Sequence, residues 1–401
     1  MITRRRRVAA SALVSGALVS GALLAGCGTV AAVPQAARLP PSATPSLATS
    51  QAYASETWAV VVMGGSSAAN NDFWQLFTRP ADAARWTLAT PLGVADNGGL
   101  AVADVGTRSL VTAFRPSQDL TFSPLSASQD GGAHWSQSGL LAAGLADFPT
   151  AFAGAPSGGL IALTSDGDAE VAARAGAAWS SLASEHSVAA SPAGRACGLA
   201  RLTAAAFSST GVPLLAGQCT RPGAVGIFAS SAGRWQATGL ALPSSLARRD
   251  IEVLGLAAAG QTSVALLQAG LGGAASLLTA WSADGGHQWR LSAPFGLHGQ
   301  AVRSAAFGTG GAVGVTLTGG AAVSVTGPGA AWRSLPALPA EAAKVPAAGV
   351  TLAAAPGSGF DALIGRVGRL SVWQLASGAT GWTRVQVINV TIPYGSSGGG
   401  D

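Results

Sequence analysis

"SQDGGAHW" occupies residues 128–135 and "SADGGHQW" residues 282–289, so one frame, Ser-x-Asp-x-Gly-x-x-Trp, is used twice. Each copy holds an aspartate and a histidine, which raises acid–base chemistry as well as simple turn formation. The residue types favour a turn. Asp accepts hydrogen bonds from the N–H groups of its own loop, and Gly supplies a positive φ. Trp then offers a large apolar plate to the other strands of its unit. On this reading Ser128, Asp130, Gly132 and Trp135, with Ser282, Asp284, Gly286 and Trp289, are structural. His134 and His287 are polar turn residues beside them.

Working outward, seven of the eleven tryptophans follow a short Gly/Ala/Ser-rich stretch and precede a short polar–apolar run. They are Trp86, Trp135, Trp179, Trp235, Trp289, Trp332 and Trp382, at spacings of 49, 44, 56, 54, 43 and 50 residues. A period near fifty, with turn signals between short apolar runs, marks a propeller. Between Trp289 and Trp332 stand "AVRSAAFG", "AVGVTLTG" and "AAVSVTG", three strands, and the tryptophan opens a fourth. No long helical stripe is expected; the best candidate, "ALPAEAAKVPAAG", is cut by prolines. The expected fold is therefore all-β: a seven-bladed β-propeller of four-stranded antiparallel blades over residues 54–397. The first blade is one strand short, and "NVTIPYG" at 389–395 is one strand too many. The C-terminal strand is thus expected to close the ring as the innermost strand of the first blade.

The repeated motif resembles the Asp-box, or BNR, repeat of the sialidase-like propellers. Asp130/Gly132/Trp135 and Asp284/Gly286/Trp289 match it fully, Trp179 and Trp332 keep only Gly176 and Gly329, and the other blades keep little beyond the tryptophan. The resemblance implies a peripheral, structural place for the motif. It also makes sialidase the first activity to test. Those enzymes use three arginines, a tyrosine nucleophile paired with a glutamate, and an aspartate. Here Tyr53 and Tyr394 are the two tyrosines, and Glu56, Glu170, Glu185, Glu252 and Glu341 the five glutamates; none stands in a matching context. Arg79-Pro80 and Arg115-Pro116 read as strand ends broken by proline.

The N-terminus reads as an export signal. "MITRRRR" is a basic n-region, and an apolar h-region follows. It ends in Leu24-Ala25-Gly26-Cys27, which resembles the bacterial lipobox, and this implies a signal peptide over 1–26 and lipidation of Cys27. Residues 27–53, rich in Ala, Pro and Ser, are expected to be a tether. The chain carries a formal +5, but four of its 23 basic residues lie in the signal, leaving 19 against 18 acidic ones. No basic stripe remains for nucleic acid. The expected place is the cell envelope, lipid-anchored at the outer face of the cytoplasmic membrane. In that oxidising compartment Cys197 and Cys219 are expected to form a disulfide between adjacent strands, with a bulge absorbing imperfect register.

Other chemistry is thinly represented. Gly395-Ser396-Ser397-Gly398-Gly399 imitates a nucleophile elbow but lies in a glycine-rich tail. Asp166, Asp168 and Glu170 alternate as in a calcium loop and read better as an Asp-Gly hairpin. His134, His186, His287 and His298 are too scattered for a zinc site. No metal and no cofactor are expected. The function expected is a monomeric, non-catalytic binding or scaffolding module that offers one face to a protein or glycan. A glycan-active hydrolase is the alternative. It would build its site from carboxylates at the channel mouth, drawn from Asp104, Asp119, Asp147, Asp250 and Asp361.

Overall fold

The computed structural model describes residues 47–63, 73–91, 99–115, 122–136, 144–231 and 233–391. Cys27, Asp119 and residues 392–401 lie outside them. The described strands form consecutive antiparallel meanders. The first runs β1 (Ala48–Ala52), β2 (Glu56–Met63), β3 (Phe73–Pro80) and β4 (Thr87–Leu88). The second has β5 (Leu100–Asp104), β6 (Leu110–Phe114) and β7 (Leu125–Ser128). The third has β8 (Pro149–Gly154), β9 (Leu160–Thr164), β10 (Asp168–Ala172) and β11 (Ser180–Ser184). Two short helices, α1 (Glu185–Ala190) and α2 (Pro192–Cys197), lead into the fourth: β12 (Leu199–Phe207), β13 (Pro213–Cys219), β14 (Gly226–Ser231) and β15 (Arg234–Ala237). The fifth has β16 (Ile251–Ala259), β17 (Thr262–Ala269), β18 (Ser276–Ser282) and β19 (Arg290–Leu291), and β20 (Phe295–Gly296) pairs back onto β18. The sixth has β21 (Val302–Phe307), β22 (Val313–Leu317), β23 (Ala322–Val325) and β24 (Arg333–Ser334). The seventh has β25 (Val350–Ala355), β26 (Gly359–Arg366), β27 (Arg369–Leu375) and β28 (Thr383–Asn389). This is a mostly-β chain.

The apolar core is divided in the same rhythm. Each buried cluster joins two meanders rather than filling one. Val60 and Trp74 meet Val102 and Phe114 between the first and second. Val264 and Trp281 meet Phe307 and Val315 between the fifth and sixth. The sequence is continued to its end: Val61, Met63 and Phe77 of the first meander pack on Leu363, Leu370 and Val372 of the seventh. Strands made of Ala, Val and Leu, covered on both faces, need no polar alternation, which is why they read as short apolar runs.

The periodic tryptophans explain the period. Trp86, Trp135, Trp179, Trp235, Trp289, Trp332 and Trp382 each join a different cluster, and each packs at the boundary with the preceding meander. For Trp86, in the first, that neighbour is the seventh. The plate therefore staples neighbouring meanders, and does not chiefly cover the strands of its own unit as the sequence suggested.

Closure by the C-terminal strand is corrected. The innermost strand of the first meander is β1, which pairs antiparallel with β2 and parallel with β21. The last described strand is instead β28, paired with β27 in the seventh meander, with Asn389 opposite Arg369. The reach of the tether is corrected with it: residues 48–52, "ATSQA", are ordered sheet, and Thr49, Ser50 and Gln51 are buried. Small polar residues look like linker, yet small side chains suit a crowded inner strand. Ser50 offsets its burial by donating to the Trp58 carbonyl at 2.8 Å.

The first and seventh meanders are also joined by buried polar groups. Arg79 on β3 pairs with Asp361 on β26, both almost wholly buried. The Trp86 indole donates to the same carboxylate at 2.9 Å, and Arg79 donates to the Ala354 carbonyl at 2.6 Å. Burial alone pushes Asp361 up and Arg79 down, and their mutual attraction opposes both shifts. Gln386 exchanges two hydrogen bonds with the Trp86 backbone.

Candidate functional site

The two aspartate turns are built alike. Ser128 Oγ donates to Asp130 Oδ1 and accepts from Gly132 N–H; Ser282 Oγ donates to Asp284 Oδ1 and accepts from Gly286 N–H. Asp130 accepts the His134 N–H, and Asp284 those of His287 and Gln288. These bonds favour the ionised form, so both carboxyls sit below the usual carboxylate range. The glycines are required twice over. Gly132 and Gly286 have φ of 86° and 99°. A Cβ on Gly132 would meet Ala89 at 2.6 Å, and one on Gly286 would meet Leu214 at 3.2 Å. In each case the turn rests on the preceding meander. The Trp135 indole donates to the Ala89 carbonyl and Thr78 to the Gly131 carbonyl. Trp289, by contrast, bonds its own turn at Gly286.

His134 Nδ1 lies 2.6 Å from Asp130 Oδ2, but the imidazole is 88 % exposed. This pair stands on an open corner with no enclosing wall.

A more enclosed arrangement lies where four inner strands end. The turns after β1, β5, β8 and β16 surround a pocket of about 410 Å³, lined by Tyr53, Ser55, Asp104, Thr107, Pro156 and Gly260 among others. Asp104 is 2 % exposed; one oxygen accepts Gly106 N–H at 3.0 Å, and the other has no hydrogen-bond partner. Glu56, the first residue of β2, is 1 % exposed, and neither of its oxygens has a hydrogen-bond partner. Burial raises Asp104 to about 8 and Glu56 to about 7. Repulsion from Glu56 adds to the first, and Arg108 partly opposes the second. Burial also pushes the Tyr53 phenol well up, with the Asp104 charge adding to it.

Arg108 holds this corner together from an unusual backbone. Its φ is +57°, uncommon for a residue with a side chain. Its N–H reaches Ser55 Oγ at 3.3 Å, its carbonyl accepts Gly131 N–H at 2.7 Å, and its guanidinium donates to the Asp130 carbonyl at 2.8 Å. The first aspartate turn is thereby tied to the carboxyl pair beneath it.

A second cavity, about 300 Å³, lies between the inner strands β1, β5, β8, β12 and β16. Its walls are mainly apolar: Leu47, Trp58, Val102, Phe148, Phe152 and Leu254, with Gln51, Thr150 and Thr203 interspersed. Gln51 spans to β16 by donating to the Ala258 carbonyl at 2.7 Å.

The remaining sequence candidates do not converge. Cys197 and Cys219 are bridged, with Cα atoms 5.3 Å apart. Cys197 ends α2 rather than beginning a strand, and two register shifts in the β12–β13 pair absorb the offset. Asp147 accepts from Ser165, and Asp361 is committed to Arg79 and Trp86. Asp250 is exposed. Asp166 caps a β9–β10 hairpin by accepting from Thr164 and from Asp168 N–H, with Gly167 at φ +86°. Among the described residues no group of three or more His, Cys, Asp or Glu side chains could hold a metal ion. Sequence reasoning named Asp104 but missed its neighbours. Glu56 at the head of "ETWAVVVM", a charge opening an otherwise apolar run, was the available signal.

No family model matches the chain, and no curated protein sequence matches it. Among solved structures it is similar to YCF48 bound to D1 peptide, at 14% identity over 72% of this chain and 81% of that one, with a TM-score of 0.40. It is similar to a putative 6-phosphogluconolactonase from Bacteroides uniformis at 12% identity, 82% and 96% coverage and a TM-score of 0.48. TolB from Acinetobacter baumannii gives 12% identity, 70% and 67% coverage and a TM-score of 0.41.

Proposed function

We propose that the chain is a lipid-anchored cell-envelope binding module: a seven-bladed, sialidase-like Asp-box propeller tethered through Cys27 at the outer face of the cytoplasmic membrane, without catalysis. The cavity between the inner strands carries the binding reading. Its Trp58, Phe148 and Phe152 rings and aliphatic walls suit the apolar part of a partner, and a few polar groups would fix its orientation. The closed ring is supported by the cores that join successive meanders and by the one that joins the last to the first.

A photo-crosslinking residue in place of Phe152, expressed in the envelope, tests this. A discrete adduct is expected, and Thr150→Trp, which fills the cavity from an exposed position, should abolish it. An adduct that persists with the cavity filled contradicts the reading. Cys27→Ser should release the folded chain from the membrane fraction; retention there would contradict the anchor.

A further inference from the structure

The pocket at the ends of β1, β5, β8 and β16 is chemically one-sided. Its titratable lining is acidic: Asp104, with the weakly acidic Tyr53 phenol. Glu56 stands behind it, and Asp130 beyond Glu56. The turns after β8 and β16 contribute Gly154, Ala155, Pro156, Ala258 and Gly260, none of them charged. Among the described residues Arg108 is the cation that bears on the group, and its guanidinium is engaged with Asp130 and faces Glu56. Asp104 lines the space almost wholly buried, with one oxygen lacking any protein partner. A buried carboxylate with an open valence is costly unless something pairs with it.

We propose that this pocket binds an organic cation, a primary ammonium or guanidinium group, with Asp104 as its counter-ion and the Tyr53 ring, Ser55 and Thr107 as the rest of its cradle. The pocket has room for a lysine-sized group. The aromatic ring adds cation–π attraction. The glycine turns bring bare backbone to the wall: Gly106 and Gly260 have φ of +127° and +64°. This goes beyond the binding-module reading, because it holds whether or not the cavity between the strands takes a partner.

Binding must release the proton that Asp104 holds at neutral pH, so affinity rises with pH. With Asp104 at about 8, the gain from pH 6 to pH 8 is on the order of 50-fold. Three probes separate the sources: butylammonium, the tripeptide acetyl-Ala-Lys-Ala-amide, and its Nζ-acetylated form. Titration calorimetry should show saturable binding of the first two, strengthening with pH, and at least a tenfold loss for the third. A tripeptide that binds much better than butylammonium identifies a protein side chain as the source; parity identifies a free amine. Asp104→Asn, which keeps the acceptor for Gly106 N–H, should remove the pH dependence and most of the affinity. Thr107→Trp should block the pocket from an exposed position, which keeps the test open if Asp104→Asn fails to fold. Equal binding of the acetylated peptide, a pH-independent affinity, or full affinity in both variants would overturn the proposal. So would preferential binding of a neutral monosaccharide.

Discussion

At the scale of the residue, the carboxyl group is pulled in opposite directions in two places. Asp130 and Asp284 are ionised turn anchors held down by N–H donors; Glu56 and Asp104 are buried acids held up by desolvation. The depressed pair contributes stability above the ordinary carboxylate range and loses it in acid. The raised pair behaves inversely: between the unfolded values near 4 and the folded values of about 7 and 8, the native state holds protons that the unfolded state has lost. Stability should therefore peak in mild acid and fall from about pH 5 to pH 8. Thermal melts across that range check this, and Asp104→Asn should flatten the alkaline decline; a curve rising toward pH 8 would contradict the burial of these acids. Asp130→Ala and Asp284→Ala should each lower Tm without affecting any binding measured where the chain stays folded. Trp135→Ala should cost more, about 2–4 kcal/mol, because it empties a boundary between meanders. Loss of binding with an unchanged Tm in the Asp variants would make the motif a ligand site instead.

At the scale of the element, the strands that matter most are the ones hardest to read. "AVRSAAFG" and "AVGVTLTG" announced themselves by turn residues and apolar content. "ATSQA" did not, because an inner strand selects small side chains, and Ala, Ser and Thr equally describe a linker. The helices α1 and α2 were missed for a related reason. Each spans six residues, too few to show a periodic stripe, and each is held by Ser capping, from Ser184 and Ser191, together with a single buried side-chain anchor, Val188 in α1 and Cys197 in α2. Two truncations separate the actual inner strand from the expected one. Ending the chain after Thr391 should leave Tm nearly unchanged, whereas beginning it at Tyr53, without β1, should abolish cooperative melting. The reverse outcome would restore closure by the C-terminal strand. The bridge between Cys197 and Cys219 ties α2 to β13 across a separation of 22 residues. Its reduction should cost about 3 kcal/mol in the chain-entropy model, read as a drop in Tm under reductant.

At the scale of the molecule, the fifty-residue tryptophan period was legible because one physical task recurs: each meander needs a plate against the one before it. The pocket was not legible, because Tyr53 and Glu56 come from the β1–β2 turn and Asp104 and Arg108 from the β5–β6 turn, with no common motif, and only the convergence of the inner strands unites them. The central claim is that the first and seventh meanders meet as neighbours, the contact on which the proposed ring rests. Thr351 Oγ1 on β25 donates to the Val60 carbonyl on β2 at 2.8 Å, across 291 positions of sequence. The most direct measurement is a double-mutant cycle on the buried Arg79–Asp361 pair that joins the two meanders, read from the urea-unfolding stabilities of Arg79→Met, Asp361→Leu and the double variant. The account predicts that each single change costs about 3–5 kcal/mol and that the double costs well under their sum. Additive losses would contradict it.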